Sequence, residues 1–259
     1  MKAPLQFALV ACLLLTGTSY SMAQLKAVAY SDGKQKLSGL LAKPASDSPK
    51  KAGILILPAW KGIDDHSRKT AEQLAALGYY AFIADIYGKG NYPKDARAAG
   101  EISGSYKKNI TQYQQRIKLA LNELVRACAD PDQVVVIGYC FGGTGALEAA
   151  RANLPVKGVV SFHGGLGRDK NRTIQTIVPK VLVLHGADDP YVSEEEMKSF
   201  QDEMRKAKAD WQLNYYANAV HAFTEPAAGN DNSKGAAYNE KAAKRSWEAM
   251  LIFLAEVLK

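Results

Sequence analysis

The chain has 259 residues, 47% of them hydrophobic and 23% charged, which is enough to bury one full α/β core as a single domain. Its formal net charge of +7 is spread along the chain, with no block of basic residues interleaved with aromatics, so the composition gives no support for nucleic-acid binding. Of three cysteines, only Cys128 and Cys140 lie beyond the N-terminal leader, too few for a disulfide framework.

The leader is the first predicted element. Lys2 supplies a positive start, Phe7 to Leu15 is a short apolar run, and Ser21-Met22-Ala23 offers small residues at a cleavage site. Residues 1–23 are expected to be a secretory signal peptide cut after Ala23, which implies a periplasmic or secreted protein. Leu9-Val10-Ala11-Cys12 also fits a lipid-attachment box, but three leucines follow where a lipoprotein turns polar. No segment reaches the roughly 20 apolar residues of a membrane-spanning helix.

Residues 24–259 are expected to form one domain. Lys26 to Ser31 and Lys36 to Lys43 read as strands around the turn at Asp32-Gly33. Five apolar runs follow: 52–58, 79–86, 133–138, 156–162 and 180–184. Uninterrupted apolar strands are the mark of a parallel sheet covered on both faces. Helical patterns separate them. One opens at Asp65 and stops at Gly78, and a long amphipathic one runs from Tyr106 to Ala129. Another starts at a capping box of Ser193 and Glu196, and the last spans about 236 to 258. Gly88 to Ser105 and Glu225 to Gly235 read as long loops. Alternating strands and helices give an α/β fold with a mostly parallel central sheet flanked by helices.

The chemistry centres on Gly138-Tyr139-Cys140-Phe141-Gly142-Gly143. It joins the strand Val134-Val135-Val136-Ile137 to a helix opening near Thr144, and glycines at 138 and 142 bracket the cysteine. That is the spacing and context of a nucleophile elbow. A helix N-terminus also favours a thiolate. A nucleophile needs a base, and there are four histidines: His66, His163, His185 and His221. His66 is expected at the surface, while His163 and His185 end strands. His221 lies on a loop after the strand Trp211 to Tyr216, where a base is expected. The turn His185-Gly186-Ala187-Asp188-Asp189-Pro190-Tyr191-Val192 carries the acid. Asp188 and Asp189 compete for the role, and the pattern Gly186-x-x-Asp189-x-x-Val192 selects Asp189. Nucleophile, acid and histidine then follow in that chain order. Neither metal-ligand spacing nor a phosphate loop occurs, so no cofactor and no metal are implied.

Four segments in order, "LPAWKGIDDHSR", "GYCFGG", "HGADDPYV" and "AVHAFTEP", make the chain resemble the dienelactone hydrolase family of α/β-hydrolases. The resemblance implies a Cys140-Asp189-His221 catalytic triad, with the backbone N–H groups of Trp60 and Phe141 as the oxyanion hole. It implies a hydrolase of small esters or lactones acting through an acyl-enzyme, with Trp60, Tyr87 and Phe223 as candidate pocket residues. The sequence departs from the family pattern twice. Ala59 stands where a glutamate engages the resting cysteine, and Glu225 stands where an arginine meets a substrate carboxylate. An alternative reading keeps the fold without the chemistry: a catalytically weak member that binds a small ligand or a partner protein.

Overall fold

The computed structural model describes residues 24–45, 51–127 and 129–258; the expected signal peptide, with Cys12, and Cys128 lie outside the described residues. Eight strands form one sheet: β1 (Lys26–Asp32), β2 (Gln35–Ala42), β3 (Gly53–Leu57), β4 (Tyr80–Ile83), β5 (Val134–Tyr139), β6 (Gly158–Phe162), β7 (Lys180–Gly186) and β8 (Trp211–Tyr216). Their order is β1-β2-β4-β3-β5-β6-β7-β8. The first two strands form an antiparallel hairpin, β2 joins β4 antiparallel, and β3 to β8 run parallel.

The helices are α1 (Asp65–Ala76), α2 (Ala96–Lys108), α3 (Ile110–Arg126), α4 (Phe141–Arg151), α5 (Glu194–Lys206) and α6 (Glu240–Val257). Alternate residues along each strand serve opposite cores, as the two-residue repeat of a strand requires. Leu55, Leu57, Val134 and Val136 join Ile117, Leu121 and Leu124 of α3 and Ala146 and Leu147 of α4. Ile54, Ile56, Val135 and Ile137 join Leu74 of α1 and Met250 and Leu254 of α6. No described helix is long and apolar enough to cross a membrane.

Three expectations are corrected. Asp64, not Asp65, caps α1: its carboxylate accepts from Ser67 N–H at 2.9 Å and Ser67 Oγ accepts in return from Asp64 N–H at 3.0 Å. The long helix from Tyr106 is two helices, and most of the expected loop before it is α2. Asp95 starts α2 by accepting from Ala98 N–H. Asn109 then ends α2 and opens α3, its side chain accepting from Gln112 N–H, a job that Asn performs well and that periodicity alone does not reveal. Ser193 caps α5 as expected, but Glu196 does not complete the box. Its carboxylate accepts from Leu166 N–H at 2.7 Å and Gly167 N–H at 2.8 Å.

That second use of Glu196 belongs to a larger device. The irregular segment after β6 is held by buried ion pairs between α4 and α5. Arg151 donates to Glu203 at 2.8 and 3.0 Å, to Glu148 at 2.9 Å and to the carbonyl oxygens of Leu166 and Gly167. Arg172 closes on Glu148 from the segment itself. Removing Arg151 would take both of its bonds from the buried Glu203, leaving that carboxylate only Arg168 at 3.3 Å, and one from the buried Glu148, which keeps Arg172. Arg151→Ala is therefore expected to lower stability by about 3–5 kcal/mol in urea unfolding. A loss below about 1 kcal/mol would show that the network does not hold the segment.

Candidate active site

Val134 to Tyr139 runs through the sheet centre, and the chain must reverse into α4 within one residue. Cys140 makes that reversal at φ 53° and ψ −113°, a conformation strained for any residue with a Cβ. The two bracketing glycines are required by contact. A Cβ on Gly138 would lie 1.9 Å from the carbonyl oxygen of Gly142, and one on Gly142 would lie 2.0 Å from that of Leu57. Cys140 N–H donates to the Phe162 carbonyl at 3.0 Å, which locks the elbow to β6.

His221 reaches the elbow from the loop after β8. Its backbone is fixed by two bonds, from His221 N–H to Gly235 and from Ala237 N–H to His221. Its Nε2 lies 3.0 Å from Cys140 Sγ, and its Nδ1 lies 2.9 Å from Asp189 Oδ2. The other oxygen of Asp189 accepts from Tyr191 N–H at 2.9 Å, so the carboxylate is held at both ends. Asp188 remains exposed, its backbone N–H bonded to Ala219. Burial alone would lower the pKa of His221, but hydrogen bonds to Asp189 and Cys140, with their charges, outweigh it and push the value up to about 9. The His221 imidazolium is thus held between a carboxylate on one ring nitrogen and a sulfur on the other.

The cavity above these residues has a volume of about 760 Å³. Cys140 and His221 open into it, as do Ala59, Trp60 and Tyr191. Trp60 sits on a tight turn closed by Gly62 N–H to the Ala59 carbonyl, and its own carbonyl accepts from Tyr87 Oη at 2.7 Å. Phe141 is the first residue of α4, with its ring buried flat against Tyr113 at 4.5 Å. Its backbone N–H therefore stands at the helix N-terminus, where such groups lack helical partners.

Two candidate pocket residues are displaced from that role. Tyr87 is buried and spends its hydroxyl on Trp60, and Phe223 is fully buried edge-on to His163 at 5.1 Å. Both are core residues beneath the site, because their strand-end and loop positions turn inward. His66, expected at the surface, instead borders the cavity with its ring edge-on to Tyr139 at 4.6 Å. His163 is fully buried, holds Thr224 Oγ1 at 2.8 Å, and is kept neutral by burial. His185 is also buried and shifted toward its neutral form. Among the described residues no group of three His, Cys, Asp or Glu side chains could hold a metal ion.

Sequence reasoning missed Tyr191, Lys61 and Lys107 on the cavity wall. Tyr191 adjoins Pro190 in the acid turn, and its ring meets His221 edge-on at 5.2 Å. The acid's place in that turn was the one signal that could have found it.

If Asp189 holds up the pKa of His221, then Asp189→Asn should bring its imidazole titration down from about 9 by at least one unit. Nuclear magnetic resonance of the ring protons measures this, and an unmoved titration would show that Asp189 does not set the charge.

With the geometry in place, comparisons define the lineage. Residues 37–258 match the dienelactone hydrolase family. A crystal structure of a dienelactone hydrolase-like promiscuous phosphotriesterase from metagenomic libraries is 36% identical, covers 92% of this chain and 100% of its own, and superposes with a TM-score of 0.87. A protein of Saccharolobus solfataricus provisionally named carboxymethylenebutenolidase is 26% identical over 90% of this chain and 99% of its own. A Klebsiella pneumoniae structure, 21% identical with a TM-score of 0.71 over 90% of this chain and 99% of its own, shares the fold. The chain belongs to the dienelactone hydrolase family.

Proposed function

We propose that this carboxylic ester hydrolase cleaves small esters or lactones through Cys140, His221 and Asp189, with an acyl-enzyme intermediate. The observation that carries this reading is the line Cys140 Sγ–His221 Nε2–His221 Nδ1–Asp189 Oδ2, at 3.0 and 2.9 Å, at the floor of the cavity. Cys140 Sγ attacks the carbonyl carbon and the carbonyl π pair moves to oxygen. The backbone N–H groups of Trp60 and Phe141 receive that oxyanion. His221 gives a proton to the departing alcohol oxygen, leaving a thioester on Cys140. Water then loses a proton to His221 as it attacks the thioester, and the thiolate leaves with the acid product. Asp189 fixes the imidazole tautomer and supports its positive form throughout.

Ala59 supplies no carboxylate beside the thiol, so the reading assigns thiol activation to His221 and the start of α4. The leader supports a periplasmic or secreted setting for this activity. The name of the metagenomic relative suggests that phosphotriesters are a second test substrate.

Hydrolysis of p-nitrophenyl acetate and butyrate is expected from the mature protein. Cys140→Ala should abolish it, and His221→Ala should lower kcat/KM by about 10²–10⁴-fold. Wild-type turnover no greater than that of the two variants would refute the assignment and favour a catalytically weak ligand-binding member.

The pH profile distinguishes how His221 serves. Its imidazolium persists up to about 9, so kcat/KM for an alkyl ester, whose leaving alcohol needs a proton, should fall as pH rises through that value. The p-nitrophenyl ester, whose leaving group needs none, should show no such fall. Identical profiles for the two would remove His221 as the proton donor.

A further inference from the structure

Four residues beyond His221, the chain turns back on itself through a bond from Glu225 N–H to the Ala222 carbonyl, and Glu225 enters the wall of the catalytic cavity. Its Oε1 lies 3.7 Å from Nε2 of His66, which is too long for a hydrogen bond. Both atoms are buried, and neither has a hydrogen-bond partner among the described residues. Buried polar groups are normally paired, because an unmade hydrogen bond leaves the desolvation cost uncompensated. An acid and an imidazole left in this state beside a nucleophile have hydrogen-bonding capacity to offer to whatever enters the cavity.

The charges around them are unevenly placed. On the same cavity, Lys61 and Lys107 are exposed, and the Lys61 ammonium lies over the Trp60 ring at 5.9 Å. At the cap of α1, Asp64 faces the pair from a half-buried position, while Asp65 and Lys69 of the helix are exposed. Behind the pair lies a second cavity of about 510 Å³, where α6 contributes exposed Glu240 and Lys244. On the catalytic side lie His221, Cys140, His163 and Tyr191, and from β5 Tyr139, edge-on to His66, borders the second cavity with Tyr238. The lysines are therefore solvated at rims, whereas the carboxyl of Glu225 is drawn inward.

We propose that Glu225, backed by His66, selects substrate charge at this site, its acid form admitting uncharged hydrogen-bonding groups and its carboxylate form turning away substrate carboxylates. The inference rests on the ester-hydrolase reading and adds the class of substrate. Burial first, and the charge of Asp64 second, push the Glu225 pKa up to about 8. Burial also lowers that of His66, so near neutral pH the two form an uncharged pair rather than an ion pair. The acid form of Glu225 donates a hydrogen bond to an ether, hydroxyl or carbonyl oxygen of a neutral substrate. As pH rises through about 8 the carboxylate forms, and discrimination against an anionic substrate arm increases.

The test compares p-nitrophenyl butyrate with mono-p-nitrophenyl glutarate between pH 6 and 9.5. Taking the ratio of the two KM values at each pH cancels the pH dependence of the shared reaction with the p-nitrophenyl ester. In the wild type the glutarate-to-butyrate KM ratio should rise about tenfold across the range, the scale of one partly screened charge. In Glu225→Gln the ratio should stay flat. In Glu225→Arg, whose guanidinium keeps its charge when buried, the glutarate ester should become the better substrate by KM. A flat wild-type ratio, or a rise that persists in Glu225→Gln, overturns the proposal while leaving the esterase reading intact. Should the wild type hydrolyse neither ester, the esterase reading falls. Binding of butyranilide and glutaranilic acid to Cys140→Ala, with and without Glu225→Gln, then decides charge selection without turnover. Equal pH dependence of the two affinities would sink it.

Discussion

Everything at this site depends on one steric contact: the backbone of the turn after β5 passes so close to the start of α4 and the end of β3 that only glycine fits at 138 and 142. Between those glycines Cys140 is forced to positive φ, which raises its side chain clear of the sheet edge. The same close approach sets the start of α4 against Leu57 and Pro58, at the end of β3 where the Trp60 turn begins. Strain at one residue is thereby exchanged for the meeting of a thiol, a helix terminus and a second loop within one cavity. The surrounding sheet over-determines that geometry, with β5 hydrogen-bonded on both sides and buried along its whole length.

Charge is controlled by the same packing. His163, His185, His66 and His221 all sit near one end of the sheet, yet only His221 is shifted toward its charged form. Desolvation acts on all four. What separates His221 is a carboxylate on one ring nitrogen and a sulfur on the other. His163 touches His221 ring to ring at 5.3 Å, and its neutrality spares the site a second positive charge. Of these four imidazoles, one is thus held toward its charged form and three toward the neutral form.

The strands and the elbow were legible because their signals are local. Apolar runs such as Gly53–Leu57 and Val134–Tyr139 read directly as buried parallel strands, and the glycines announce the turn. The Asp189–His221 partnership was legible through chain order and turn pattern. What escaped has a non-local cause. Asn109 splits a helix because one side chain can cap the next, which hydrophobic periodicity does not encode. Glu196 abandons its expected box because a loop some 30 residues earlier presents two N–H groups to it. Tyr87 and Phe223 look like rim residues in a linear reading, but their burial is decided by neighbours from other elements. Tyr191 and His66 reach the cavity for the same reason, through tertiary placement.

All eleven residues of α4 are buried, so the helix that begins directly after Cys140 has no solvent-facing side. Such a helix has no room to rock or slide without breaking packing on every face. Adjustments that accompany substrate entry and product release must then come from the partly exposed parts of the wall: the Trp60 turn, Tyr191 and the stretch after His221. The protein accordingly divides rigidity and freedom between different segments of one cavity, with Cys140 seated on a helix packed on every face and the opposite walls partly open to solvent.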